Sequence, residues 1–317
     1  MSRPRIFYAL RDDEAAAEHV CLLYRHVELL AASGFDACVL RRGPPSAVFA
    51  HVPAPVVDAA SRVRLTADDR VAMPELWPDM IHVTRGLGLR RILICHSRHL
   101  LLQTLGRMTL RELGPACMMA TSPGIASFVR QDLGFDDVAV VPPLVDADLY
   151  RPAVKRRQIA YRTRRRAMEA VFVKGLFRRL YPDLADVPWI ELDDTTSASA
   201  PAVLGQSQFV LGIGLAESTY LPALAAMAAG ALVAGYAGDG RRDVESPENG
   251  EWSPDGDSAK AVEALGRLIR RAESDSAFAE RRRAAGFATA ARYGRSALDA
   301  ALTAFWSAEL SVRCGTG

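Results

Sequence analysis

Along almost the whole chain, short apolar runs alternate with longer stretches whose apolar residues recur at helical spacing. This is the pattern of a layered α/β protein. Strands buried on both faces of a parallel sheet read as continuous apolar strings, and the helices covering them read as amphipathic. Ile6 to Leu10, Asp36 to Leu40, Arg70 to Met73, Ile92 to Cys95, Cys117 to Ala120 and Val138 to Val141 are predicted strands. Val20, Leu23, Val27 and Leu30 mark a helix that Gly34 closes, and Ser122 with Pro123 opens another. Pro142 and Pro143 stop the last of these strands, so the segment Pro142 to Pro152 is the expected domain junction. Beyond it the pattern restarts. Strands are predicted at Ile159 to Tyr161, Trp189 to Leu192, Phe209 to Gly212 and Ala231 to Tyr236, with a helix over Met168 to Leu180 and another beginning near Pro222. Three helices finish the chain, one marked by Val262, Leu265 and Ile269 and the last by Leu298, Leu302 and Phe305.

Two domains of ordinary size fit within 317 residues. With 39 basic and 37 acidic side chains the net charge is only +2, which argues against a protein built to coat nucleic acid. The five cysteines are widely spaced and form no C-x-x-C pair, as expected of reduced thiols in a cytoplasmic protein. The N-terminus lacks a signal-peptide apolar core, and no apolar run reaches the roughly 20 residues that span a bilayer.

In parallel α/β sheets ligands bind at the carboxyl ends of the strands, so the residues just beyond each strand are the candidates for chemistry. After Phe209 to Gly212 comes Glu217, followed by an Ala-rich helix. A helix N-terminus suits phosphate and a carboxylate beside it can accept sugar hydroxyls, although Glu217 could equally cap the helix or face solvent. Lys155 to Arg166 carries seven cations in twelve residues. Such a run can neutralise a diphosphate, dock on anionic lipid headgroups or lie solvated. His96 and His99 follow Ile92 to Cys95; either is a structural group or a group at a reacting centre. Asp146 and Asp148 mimic a D-x-D metal motif but lie in the predicted linker, and no Cys/His spacing suggests zinc.

The segment ESTYLPALAAMAAG (217–230) resembles the donor-site signature EGFGLPPLEAMACG of family 4 retaining glycosyltransferases. The likeness continues into ALVAGYAGDGRRD (231–243) and ENGEW (248–252). Upstream, DDRVAMPELW (68–77), RRILICHS (90–97) and ATSPGIASFVRQDLGFDDVAVVPPLVDADLYRP (120–152) match family segments in the same order. The resemblance implies a GT-B fold, with two Rossmann-like domains facing each other across a cleft. These would be an acceptor domain over 1–145, a nucleotide-sugar donor domain over 146–295 and a final helix, 296–317, packed back on the first. It also implies a metal-independent hexosyltransferase using a nucleotide diphosphate sugar, without a cofactor. Glu217 and His96 would be the catalytic residues, and Arg164, Arg165, Ser218, Thr219, Leu221, Gly238 and Gly240 would bind the donor.

The chain departs from the family pattern at several places. Ala225 stands where the family has a second carboxylate that holds the ribose, Thr163 replaces a proline, and Asp243 replaces a glutamate. The stretch after the first strand, Leu10 to Ala16, lacks the family's glycine pair. A non-catalytic GT-B protein that binds a partner enzyme or glycan is therefore the alternative. The acceptor, the nucleotide base and any peripheral membrane contact stay open at this level.

Overall fold

The apolar runs become the strands of two parallel sheets. A computed structural model describes residues 4–11, 17–45, 49–61, 63–162, 167–192, 199–213, 221–236 and 241–312. The chain divides into two compact units, 1–143 together with 296–317, and 144–295.

The first unit is built on seven strands: β1 (Ile6–Ala9), β2 (Ala37–Arg41), β3 (Val56–Asp58), β4 (Arg70–Pro74), β5 (Arg90–Cys95), β6 (Cys117–Ala120) and β7 (Val138–Val140). Their order is β3-β2-β1-β4-β5-β6-β7, and neighbours are parallel. The connections carry α1 (Ala17–Ala32), α2 (Pro78–Val83), α3 (Arg98–Leu105), α4 (Leu110–Leu113) and α5 (Pro123–Gln131). As the sequence suggests, Ser122 caps α5, its hydroxyl accepting from the Ile125 N–H at 3.2 Å. On one face of the sheet Phe7, Val71, Met73, Leu93, Cys95 and Met118 form a core with α3, α4 and α5. The alternate residues, Tyr8 among them, point to the other face, as the two-residue period of a strand requires.

The second unit has five strands, β8 (Arg156–Tyr161), β9 (Trp189–Glu191), β10 (Ser207–Ile213), β11 (Leu232–Tyr236) and β12 (Gly250–Trp252). They lie in the order β12-β11-β10-β8-β9 and are again parallel. Its helices are α6 (Ala167–Leu180), α7 (Ala200–Gln206), α8 (Leu221–Ala228), α9 (Arg241–Val244), α10 (Ser258–Ser274) and α11 (Ser276–Ala291). One face packs Ile159, Phe177, Phe209 and Leu265 into a core with α6 and α10. The opposite face packs α7 and α8 around Leu204, Leu224 and Val233. β10 and β11 approach very closely near their carboxyl ends, where Gly235 (φ +121°) pairs with Gly212. A Cβ at 235 would lie 1.9 Å from the Gly212 carbonyl oxygen, so only glycine fits there.

The final helix, α12 (Arg295–Ser311), belongs to the first unit over nearly all its length. Trp306 is fully buried and its indole N–H donates to the Tyr8 hydroxyl at 3.2 Å. Near its end, Glu309 (6% exposed) pairs with Arg70 (2% exposed) at 3.1 Å and also with Arg90. Arg70 further donates to the carbonyls of Asp68 and Val312, at 2.6 and 2.9 Å.

Candidate functional site

Both sheets reverse their strand order at an internal point, and such switch points are where crevices form at the carboxyl edge. In the first unit the switch lies between β1 and β4, and in the second between β8 and β10.

At the first switch point the central group is Glu75, which directly follows β4. It is almost fully buried, and its Oε1 accepts the backbone N–H groups of His96 (2.6 Å) and Ser97 (2.7 Å). Its Oε2 lies 3.1 Å from Nδ1 of His96, a fully buried imidazole directly after β5. The Thr104 hydroxyl holds the Glu75 carbonyl at 2.7 Å. With Glu75 Oε2 as the acceptor, Nδ1 carries a hydrogen, and in the neutral imidazole Nε2 is then left with a lone pair. That Nε2 is buried and finds no partner among the described residues. The ring meets His19 of α1 edge-on, with centroids 4.9 Å apart. Nearby, Arg11 beyond β1 pairs with Asp79 in the first turn of α2 at 3.2 Å. His99, the weaker candidate, is solvent-exposed.

A second buried histidine lies one layer deeper. The Tyr8 hydroxyl receives the Trp306 N–H and is therefore free to donate its own hydrogen to His26 Nδ1, 3.3 Å away. Burial, and then the nearby His96, push the His26 pKa down to about 3 from its ordinary 6.5. A histidine kept neutral in the fold protonates first in the unfolded chain. Its stabilising effect is complete above about pH 6.5 and is lost as pH falls toward about 3. Urea unfolding should therefore show about 2–3 kcal/mol less stability near pH 4.5 than near pH 7, a difference that His26→Asn should largely abolish. Equal slopes for parent and variant would discard this assignment.

At the second switch point most sequence candidates fall on segments outside the described residues: Arg164 and Arg165 after β8, Glu217, Ser218 and Thr219 after β10, and Gly238 and Gly240 after β11. The strands from which these segments leave are hydrogen-bonded neighbours, with Leu211 opposite Tyr161 and Ile213 opposite Tyr236. Leu221 is the first residue of α8 and packs partly on its apolar cluster. Ala225 is buried in that cluster beside Leu224, Ala226 and Met227. Gly230 lies between α8 and β11, at the opposite edge of the sheet, and its φ of +74° ends the helix.

The basic run is split by the sheet. Lys155 lies at the amino edge of β8 and donates to the carbonyls of Gly205 (2.8 Å) and Ala229 (2.6 Å), at the ends of α7 and α8. Burial lowers its pKa to about 8. Arg157 pairs with Glu273 (2.6 Å) and Asp186 (2.9 Å). These two cations hold helices and strands together, seven to ten residues of chain before Arg164 and Arg165. At that edge Tyr161 donates to Glu191 at 2.8 Å, and Lys174 lies 4.2 Å above the Tyr161 ring. Sequence reasoning assigned no role to Glu75, Tyr161 or Lys174. Glu75 lay within a matched segment, but nothing in the sequence shows that β4 and β5 would be neighbours.

Two parallel sheets of these orders, with a final helix returned to the first, define a GT-B glycosyltransferase fold. Sucrose-phosphate synthase from Thermosynechococcus elongatus matches with a TM-score of 0.69 at 14% identity, covering 98% of this chain and 100% of its own. A glycosyltransferase from Rickettsia africae matches at 0.67 with 12% identity, covering 98% and 99%. Anabaena HepE, solved with UDP and glucose, matches at 0.68 with 12% identity, covering 98% and 100%. No family model and no curated protein sequence matches the chain. Among the described residues no three His, Cys, Asp or Glu side chains group to hold a metal, and no helix is long and apolar enough to cross a membrane.

Proposed function

We propose that this chain is a cytoplasmic, metal-independent glycosyltransferase that moves a hexose from a nucleotide diphosphate to an acceptor hydroxyl, with retention at the anomeric carbon. The observation that supports it most is the whole-chain likeness to glycosyltransferase structures, alongside HepE complexes with UDP and with UDP-glucose. In this reading the donor lies at the carboxyl edge of the second sheet. Arg164 and Arg165 face its diphosphate, Glu217 meets hydroxyls of the sugar, and Ser218, Thr219, Leu221, Gly238 and Gly240 line the remainder. As the bond from the anomeric carbon to phosphate breaks, the acceptor oxygen bonds to that carbon and its proton passes to the departing phosphate. The negative charge that grows on the leaving diphosphate is stabilised by the guanidinium groups of Arg164 and Arg165. In the first unit His96 is the candidate catalytic residue, with its Nε2 proposed to accept a hydrogen bond from a substrate hydroxyl.

A second reading, a non-catalytic binder of a protein or glycan, is favoured by Ala225, whose position in an apolar cluster leaves no ribose-holding carboxylate there. Thermal unfolding with UDP, GDP, ADP, CDP and dTDP separates the two. UDP is expected to raise the midpoint by several degrees, since a ligand at a hundred times its Kd adds about 2.7 kcal/mol. Arg164→Ala combined with Arg165→Ala should erase the rise. If none of the five nucleotides shifts the midpoint, the transferase reading fails and the binder stands.

A further inference from the structure

Helix α6 buries one face completely. Ala170, Val173 and Phe177, at positions i, i+3 and i+7, are sealed against the second unit's core. Met168 (80% exposed), Val171 (66%) and Phe172 (52%) are apolar as well, yet they project to solvent. The last turn then presents Arg178 and Arg179, both exposed. The helix itself carries three cations, Lys174, Arg178 and Arg179, against one carboxylate, Glu169. Glu169 is itself engaged, accepting the Tyr236 hydroxyl at 2.8 Å and the Ser258 hydroxyl. Asp257, close by, caps α10 through the Lys260 N–H at 2.9 Å.

We propose that the outward face of α6 docks on an anionic lipid bilayer, with Met168, Val171 and Phe172 entering the headgroup region and Arg178 and Arg179 against lipid phosphates. Exposed apolar side chains flanked by cations are what an interfacial helix needs, since shallow burial and attraction to anionic lipid add together. Arg178 and Arg179 disfavour a second copy of the chain on this face, because like charges would meet there. The inference does not depend on the proposed transferase activity, and its test needs no turnover.

Co-sedimentation of the full chain with vesicles reads it directly. Phosphatidylcholine vesicles containing phosphatidylglycerol are expected to retain the protein, and pure phosphatidylcholine vesicles are not. Retention should weaken as salt is raised. Val171→Ser with Phe172→Ser, and separately Arg178→Glu with Arg179→Glu, should each lower partitioning roughly tenfold or more. All four side chains are exposed, and unchanged thermal midpoints will show that the variants fold. No retention on anionic vesicles, equal retention on neutral ones, or retention indifferent to both variants would overturn the proposal. So would a concentration-dependent dimer that Phe172→Ser dissolves, since it would assign the face to a second copy.

Discussion

Replacing Glu309 with alanine is expected to destabilise the protein by about 3–5 kcal/mol, the usual consequence of leaving a buried charge without its partner. Glu309 is the counter-charge shared by Arg70 and Arg90, with Nη2 of Arg90 reaching its Oε2 at 3.0 Å. The Cys117 thiol, 3.5 Å from the same oxygen, is pushed well above its ordinary pKa by burial and then by this carboxylate. Arg70 would keep its bonds to the Asp68 and Val312 carbonyls, but these neutral acceptors do not balance a buried guanidinium. Glu309→Gln should cost less, because the amide keeps an acceptor and the side chain's shape. Urea titration followed by circular dichroism measures both variants. A loss below about 1 kcal/mol for the alanine variant would mean that the pair is not holding α12.

The second expectation concerns tautomers. Glu75→Gln keeps an oxygen for the N–H groups of His96 and Ser97 but turns an NH2 toward His96 Nδ1. Nδ1 must then accept, and the hydrogen moves to Nε2. The atom read here as an acceptor for a substrate hydroxyl becomes a donor. Under the transferase reading kcat should fall about a hundredfold or more, the range that a positioned proton-transfer group contributes, and His96→Ala should fall at least as far. The thermal shift induced by nucleotide should persist in both, because the donor is assigned to the second unit. Nitrogen NMR of the imidazole would register the change of tautomer independently of turnover. Parental kcat in either variant would remove His96 from the reaction.

The strands buried on both faces could be read from sequence because nothing but apolar side chains can occupy them, as Ile92 to Cys95 and Ala231 to Tyr236 illustrate. The structure moves several of their ends, extending β8 back by three residues and trimming β1, β7, β9 and β11 by one, where pairing rather than hydrophobicity decides. β3 and β12 escaped notice. Each is a three-residue strand in contact with only one neighbouring strand, too short to show a period. The site was less legible. His96 could be suspected from its place after a strand, but the group that orients it, Glu75, follows a different strand. The pair exists only because β4 and β5 align with Pro74 opposite Ile94. The basic run misled in the other direction. Read linearly it was one patch, yet β8 carries Lys155 and Arg157 to the amino edge of the sheet, where they serve helix ends and carboxylates.

The first unit takes its first strand and its last helix from opposite ends of the chain, with Tyr8 bonded to Trp306 and Arg70 to Glu309. During synthesis residues 144–295 can therefore form their sheet while the earlier one still lacks its closing helix. Translation order and completion order are inverted. Until α12 emerges from the ribosome, the face of the sheet carrying Tyr8 is covered by α1 but lacks Trp306, and Arg70 has no counter-ion from Glu309. A truncation that removes Trp306 and Glu309 would leave the first-made sheet without its closing helix.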